Sequence, residues 1–159
     1  MRELILELAI RGKLVLQDPN DEPASELLRR IIKERNTKKK SSFPEITEEE
    51  KIFQLPKGWE WVRLGVISEV KGGKRLPSGH SFSSYETPYV YIQVTNMKNG
   101  TILHENLKYI SEETQSKISR YTISKNDLYI TIAGTIGDVG IVPDFFDGMN
   151  LTENAGTDS

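Results

Sequence analysis

Few side chains in this sequence stand at spacings that catalysis or metal binding requires. Pro143-Asp144 and Glu69-x-Lys71 supply the pieces of a PD…(D/E)xK nuclease pattern, but in the reverse order along the chain. His80 and His104 have no second imidazole at ligand spacing, and there is no cysteine, so no metal site is predicted. The chain also lacks a G-x-S-x-G elbow and the [DN]-P-P-[YFW] tetrad of amino-methyltransferases. The sequence therefore predicts a non-enzymatic protein with no cofactor of its own.

Two clusters of polar and basic residues have the chemistry of DNA binding instead. Lys and Arg bind phosphates, whereas Arg, Lys, Asn and Gln can also read base edges. The first cluster lies in the glycine-rich segment 71–80 and consists of Lys71, Lys74, Arg75, Ser78 and His80. The second cluster consists of Gln93, Thr95, Asn96 and Lys98. Ordinary loop surface is the alternative interpretation of both clusters, since polar residues are common in loops.

The distribution of charge favours this part of the chain as a DNA-binding surface. The net charge is only −2 over 159 residues. Within residues 56–125, however, basic residues outnumber acidic ones by four, whereas residues 126–159 contain six acidic residues and no basic one. Any DNA contact should therefore come from the middle of the chain. No apolar run approaches a membrane span, and no signal peptide is evident, so we expect a cytoplasmic protein without membrane contact.

The elements that must carry these clusters begin with two predicted helices. Apolar residues at helical spacing over residues 2–11 predict the first helix, with Gly12 as its stop. Pro23 suits the start of the second, whose apolar stripe is Ala24, Leu27, Leu28, Ile31 and Ile32. Neither helix is long enough to be stable alone in water. The apolar side chains must therefore pack within the protein or against another chain, and Leu4, Leu8, Leu27, Leu28 and Ile31 are the candidate partner-binding residues.

Three regions follow from composition: a helical region at 1–40, a linker at 41–55 and a sheet domain at 56–159. The basic run Lys38–Lys40 is either a phosphate contact or a solvated helix end. In the sheet domain we predict a strand over 59–64 that buries Trp59 and Trp61 and a second strand over 89–95. A hairpin turn at Asn99-Gly100 should lead from the second strand to residues 101–109. A helix beginning after Ser111, a central glycine-rich hairpin at 126–143 and a last turn at Asp147-Gly148 complete the predicted elements. The predicted class is α+β, with a helical pair followed by a mixed, mostly antiparallel sheet.

A resemblance to a known family rests on four of these stretches. Residues 55–74, 126–143 and LTENA (151–155) resemble the target-recognition domain of Type I restriction-modification DNA specificity subunits, and residues 5–31 resemble the conserved helical region of the same subunits. The resemblance implies sequence-specific recognition of one half of a bipartite duplex target. It also implies partners: a methylation subunit that supplies S-adenosylmethionine chemistry and, indirectly, a restriction (motor) subunit.

The resemblance also leaves alternatives open. In the family further strands and a second helical region follow LTENA, whereas this sequence ends four residues later, so we expect a truncated domain with an exposed sheet edge. Pairing with a second copy of the chain is one expectation for a chain with one helical region. A truncated interaction protein that binds the methylation subunit but not DNA is the alternative function. A small hydrolase or nuclease using Asp144 or Glu69 is the third class.

Overall fold

The computed structural model describes residues 1–36 and 44–158, and the chain divides into two compact units, the first ending at Ser68 and the second beginning at Glu69. Helices dominate the first unit and short strands the second. The predicted α+β class is therefore confirmed. The basic run Lys38–Lys40 lies outside the described residues. Within the described ranges, no helix is long and apolar enough to cross a membrane.

The first unit contains both predicted helices. Its elements are α1 (Arg2–Ile10), α2 (Ala24–Asn36), a short 3-10 helix (Glu48–Glu50) and α3 (Leu64–Ile67). Gly12 ends α1 as predicted, because it adopts φ +63° and a Cβ there would lie 2.6 Å from Pro56 Cγ. The second helix begins one residue after Pro23. None of the described hydrophobic side chains in this unit is fully buried.

The prediction of a strand over residues 59–64 is wrong. Residues 59–63 form no strand, and α3 begins at Leu64. Trp59 Nε1 donates a 2.8 Å hydrogen bond to Gln17 Oε1, and the Trp61 ring lies 4.8 Å from the Phe53 ring. Both tryptophans therefore have partners inside the first unit, and Trp59 remains 39% exposed rather than entering a sheet core. Alternating aromatic residues mimic a strand when their partners are local.

The second unit contains three small sheets. Its strands and helix are β1 (Val70–Gly72), β2 (Val90–Ile92), β3 (Met97–Lys98), β4 (Thr101–Ile102), β5 (Lys108–Tyr109), α4 (Glu112–Lys117), β6 (Leu128–Thr131), β7 (Val139–Ile141), β8 (Asn150–Leu151) and β9 (Ala155–Asp158). The sheet orders are β1-β9-β6-β7, β5-β2-β8 and β3-β4. Only β2 and β8 pair in parallel among the described strands, which confirms a mostly antiparallel arrangement. The core is built from Ile92, Met97, Tyr129, Phe146 and Leu151 with their buried neighbours.

Two predicted turns and one predicted helix are confirmed in this unit. The central hairpin pairs β6 with β7. Its Gly140 lies so close to the β3–β4 turn that a Cβ would lie 2.4 Å from the Gly100 carbonyl carbon. Asn99 and Gly100 both have positive φ in the turn between β3 and β4. Ser111 caps α4 by accepting a hydrogen bond from the Thr114 amide.

The strand predicted over 89–95 is shorter in the structure, where β2 covers only Val90–Ile92. The Asn99-Gly100 turn does not join this strand to the next one but connects β3 with β4. Beyond β2, the chain turns into a 3-10 helix at Val94–Asn96 before β3 begins. Asn96 causes this departure, because its Oδ1 accepts from the Gln93 amide and its Nδ2 donates to the Glu105 carbonyl. A polar residue whose side chain satisfies the backbone competes with strand pairing.

The last strand of the chain is not itself a sheet edge. The last strand, β9, lies between β1 and β6 and pairs with both, so the edge strands of this sheet are β1 and β7. LTENA and the residues after it therefore complete the middle of the sheet. Pairing with β9 also shortens the glycine-rich segment 71–80 at its start. Lys71 and Gly72 belong to β1 and pair with Thr157 and Gly156.

Candidate nucleic-acid interface

The carboxyl ends of β2 and β8 meet at one place on the second unit. Because these strands are parallel, the residues that follow each of them emerge side by side. Gln93 follows β2, and Thr152 follows β8 and donates its amide hydrogen to the Ile92 carbonyl at 3.0 Å. Polar residues of the second predicted cluster are therefore placed beside the segment 152–154.

The segment 73–75 is fixed against the same place. The Gly73 amide donates to the Ala155 carbonyl at 3.1 Å, and the Lys74 amide donates to the Leu151 carbonyl at 2.8 Å. A Cβ on Gly73 would lie 2.0 Å from the Thr152 carbonyl oxygen, so only glycine permits this approach. The base of the glycine-rich segment 71–80 is therefore held in place by backbone hydrogen bonds.

The glycine-rich turn between β6 and β7 joins the same surface. The amides of Ile132 and Ala133 donate to the Asn154 carbonyl at 2.9 and 3.2 Å. A Cβ on Gly134 would lie 3.8 Å from Val94 Cγ2. We name these four converging segments, residues 73–75, 93–95, 132–137 and 152–154, the edge surface. It brings part of the first predicted cluster beside part of the second.

Arg75 and Lys74 are the cations of the edge surface. Arg75 Nε donates to Glu153 Oε1 at 2.8 Å, while the Arg75 side chain remains 80% exposed and that of Glu153 only 30%. This hydrogen bond from Arg75 holds the pKa of the Glu153 carboxyl below its usual range. Lys74 is exposed, with Nζ 5.6 Å from the centre of the Tyr121 ring. Neither cation is buried in an internal ion pair.

Tyr91 supports the backbone beneath these cations. Its ring belongs to β2 and is 3% exposed, and its hydroxyl donates to the Lys74 carbonyl at 2.8 Å. The same hydroxyl lies 3.4 Å from Glu153 Oε2. Burial raises the pKa of the Tyr91 hydroxyl, so it remains a hydrogen-bond donor at neutral pH.

Two of the predicted DNA-binding residues face inward. Asn96 is 2% exposed, and its amide group is used within the chain turn described above. The His80 side chain is 12% exposed, with Nδ1 2.7 Å from Thr114 Oγ1 and Nε2 2.7 Å from Lys117 Nζ. His80 thus attaches the end of its loop to α4. Sequence alone gives no sign of this, because its partners are 34 and 37 residues away.

The other predicted residues lie at the surface but not all in one place. Ser78, Thr95 and Lys98 are exposed, and Gln93 is half-buried. Lys98 lies in β3, whose hairpin contacts β7 through the hydrogen bond from the Ile141 amide to the Gly100 carbonyl. Lys71 lies in the edge strand β1, with Nζ 3.9 Å from Glu69 Oε2. The edge surface therefore unites Lys74, Arg75, Gln93 and Thr95.

Sequence reasoning missed Glu153 and Tyr91 as parts of this site. Glu153 belongs to LTENA, which carries the family resemblance, and a carboxylate that follows a strand is a recognisable partner for a distant arginine. Tyr91 gave no signal beyond strand propensity. Among the described residues no group of three or more His, Asp or Glu side chains could hold a metal ion. What the surface offers is a set of fixed hydrogen-bond donors and cations.

Comparison with known proteins defines the class. The family model described as the Type I restriction modification DNA specificity domain matches residues 56–153, more than half of the chain, so the protein belongs to that family. This is a family of specificity domains rather than of catalytic ones, and the resemblance noted in the sequence is confirmed.

Two curated relatives from Escherichia coli are similar along most of the chain. The EcoAI specificity subunit of a Type I restriction enzyme is 38% identical over 151 residues, and the EcoEI specificity subunit is 36% identical over 155 residues. Each alignment covers 89% of this chain but only 25% of the relative. The chain thus spans about a quarter of the length of these relatives.

Proposed function

We propose that this protein recognises duplex DNA for a Type I restriction-modification system, reading one half of a bipartite target through the edge surface. One observation carries the proposal. Lys74 and Arg75 from one predicted cluster and Gln93 and Thr95 from the other meet at the ends of β2 and β8. Cations bind phosphates, and a forked guanidinium or an amide reads base edges, so this combination suits both affinity and sequence choice.

We further propose that the helical unit is the contact for a methylation subunit. Leu4 and Leu27 are 59% and 48% exposed, and Leu8, Leu28 and Ile31 are half-buried. Apolar side chains left exposed in this way are typical of protein contacts. The restriction (motor) subunit would then be reached indirectly, and a second copy of the chain is a further candidate partner. The chain itself would need no cofactor and would act in the cytoplasm.

The salt dependence of duplex binding tests the DNA proposal. About six phosphate contacts should cost roughly a thousandfold in affinity between 50 and 200 mM salt. Fluorescence anisotropy on labelled duplexes measures this slope. Lys74→Gln should lower the slope by about one, whereas Lys33→Gln, an exposed lysine of α2, should leave it unchanged. An affinity that is flat with salt, or equal slopes for wild type and Lys74→Gln, would count against the proposal.

The second candidate function is an interaction protein that binds the methylation subunit without binding DNA. The exposed leucines and isoleucines of α1 favour it, since Leu4, Leu6 and Ile10 all remain more than half exposed. Co-purification with a methylation subunit, combined with no detectable duplex binding at low salt, would favour this candidate. Loss of a modified motif from the genome of cells lacking the chain would favour DNA recognition.

A further inference from the structure

Glu153 lies at the centre of a small hydrogen-bond network on the edge surface. Its Oε1 accepts from Arg75 Nε at 2.8 Å, and its Oε2 lies 3.2 Å from Thr152 Oγ1 and 3.4 Å from the Tyr91 hydroxyl. The carboxylate side chain is 30% exposed and the arginine side chain 80% exposed. The carboxylate is therefore recessed and held by Arg75 and Thr152, while the guanidinium projects from it into solvent.

This ion pair is not needed to hold the backbone. Residues 73–75 are already fixed by the Gly73 and Lys74 amides and by the Tyr91 hydroxyl on the Lys74 carbonyl. Ion pairs with one exposed partner add little to stability, because water screens them and the side chains lose freedom. What the pair does determine is the direction of the Arg75 side chain.

The geometry of the ion pair leaves the two terminal nitrogens of Arg75 available for another partner. Glu153 engages Nε, which is the guanidinium nitrogen nearest the backbone. The two terminal nitrogens lie beyond it in the plane of the fork, and two parallel N–H donors match the O6 and N7 acceptors of guanine. Holding the side chain in one direction before binding lowers the entropy lost on contact.

The negative charge of Glu153 also makes Arg75 better suited to a base edge than to a phosphate. A carboxylate 2.8 Å from Arg75 repels a charged phosphate that approaches the same guanidinium more strongly than it repels the uncharged edge of a base. The exposed Lys74 lies over the Tyr121 ring and forms no ion pair with a carboxylate of the described residues, so it suits a phosphate. Lys74 and Arg75 are neighbours in sequence with different electrostatic surroundings.

We propose that Arg75 reads a guanine in the major groove of the target and that Glu153 is the positioning residue that directs it. This inference rests on the proposed function, because it requires duplex binding at the edge surface. It goes further by assigning one residue to one base and by giving the LTENA carboxylate a role in specificity.

The test is selection from a pool of randomised duplexes, followed by sequencing of the bound fraction, with the full chain. Wild type should prefer guanine at one or more positions. Arg75→Lys retains the charge but loses the fork, so the preference at one guanine should fall on the order of tenfold or more. Glu153→Gln should weaken the preference at the same position several-fold, while its total affinity for duplex DNA is unchanged or higher because an anion has been removed.

Matched variants keep the result interpretable. Glu26→Gln removes an exposed ion pair of the same kind, with Arg29 in α2, and should leave the selected sequences unchanged. Glu153→Asp retains the charge with a shorter reach, so it should weaken the guanine preference at the same position. This variant replaces Glu153→Gln in the test if circular dichroism shows that Glu153→Gln folds poorly.

Each outcome decides the proposal. Loss of preference at one shared guanine in Arg75→Lys and Glu153→Gln supports it. A wild-type motif that Glu153→Gln and Glu153→Asp leave intact, or that each variant changes at a different position, overturns the inference while the proposed function stands. A wild-type chain that binds no duplex at low salt overturns the proposed function and this inference together.

Discussion

At the scale of single residues, position 73 requires glycine because any side chain there would overlap backbone atoms of the neighbouring segment. A Cβ there would lie 2.0 Å from the Thr152 carbonyl oxygen and 2.4 Å from the Leu151 carbonyl oxygen. Both are backbone atoms of the segment that carries Glu153, so they cannot move aside as a flexible side chain would. Its neighbour Gly72 has nothing within 4 Å of the same hypothetical atom.

These two glycines therefore form a matched pair for mutation. Gly73→Ala should destabilise the protein by roughly 1–3 kcal/mol through steric overlap and should weaken duplex binding by displacing Lys74 and Arg75. Gly72→Ala should change stability by less than about 1 kcal/mol. Urea unfolding midpoints measure both effects. Equal destabilisation by the two variants would show that the close approach at Gly73 does not constrain the fold.

The residue scale is also where sequence reasoning was least reliable. Residue type correctly placed Lys74, Arg75 and Thr95 at the surface, because charged and polar side chains usually remain in water. It could not show that Asn96 caps its own turn or that His80 attaches to α4. Those outcomes depend on partners that only the folded chain brings within hydrogen-bonding distance.

At the scale of elements, Arg63 organises the segment before α3. Its guanidinium donates to the carbonyls of Pro44 and Glu45 and to both carboxylate oxygens of Glu50, at 2.8 to 3.1 Å. Glu50 also accepts from the Thr47 amide at 2.9 Å, which completes a capping box on the short 3-10 helix. These contacts, with Arg63 as the main cause, lower the Glu50 pKa to about 2.

This lowered pKa predicts a pH dependence with a definite sign. A carboxyl whose pKa is depressed in the folded state stabilises that state above its unfolded value, near 4.5, and loses the contribution as pH falls towards 2. The stability difference between wild type and Glu50→Gln should therefore shrink over that range. Carboxyl NMR titration should give a Glu50 pKa near 2, rising towards the ordinary value in Arg63→Gln. An ordinary Glu50 pKa in the wild type would contradict the described contacts.

Elements with strong local signals were predictable, and those fixed by distant contacts were not. The helices, the Asn99-Gly100 turn and the β6–β7 hairpin follow from apolar periodicity, capping and glycine placement. The false strand at 59–64 arose because Trp59 and Trp61 have partners in the helical unit. The central place of β9 depends on distant pairing, which no local sequence pattern reports. Its Thr157 pairs with Lys71 of β1 and with Tyr129 of β6, which lie 86 and 28 residues earlier in the chain.

At the scale of the whole molecule, the chain combines two units with different surfaces. Buried hydrophobic side chains belong to the second unit in the described part of the chain, whereas the first unit exposes leucine and isoleucine along α1. We expect light scattering to report self-association or co-elution with a methylation subunit that depends on this face. Leu4→Ser with Leu27→Ser should reduce either association, and Leu128→Ser, an exposed leucine of β6, should not. A strictly monomeric wild type that captures no methylation subunit would contradict the docking role.

Fold class and family were predictable at this scale because both depend on residue type along contiguous stretches. The α+β class and the specificity-domain family follow from such stretches. The edge surface was not predictable as one place, because it forms only when β2 and β8 pair in parallel across about 59 residues.

Hydrogen exchange with and without duplex DNA tests the central claim most directly. At about 50 mM salt, a pool of random-sequence duplexes should bind through phosphate contacts without requiring the target. We expect slower amide exchange in residues 73–75, 93–95, 132–137 and 152–154, and no change in α1 and α2. Protection confined to the helices, or no protection anywhere at duplex concentrations that saturate binding, would contradict DNA recognition by the edge surface.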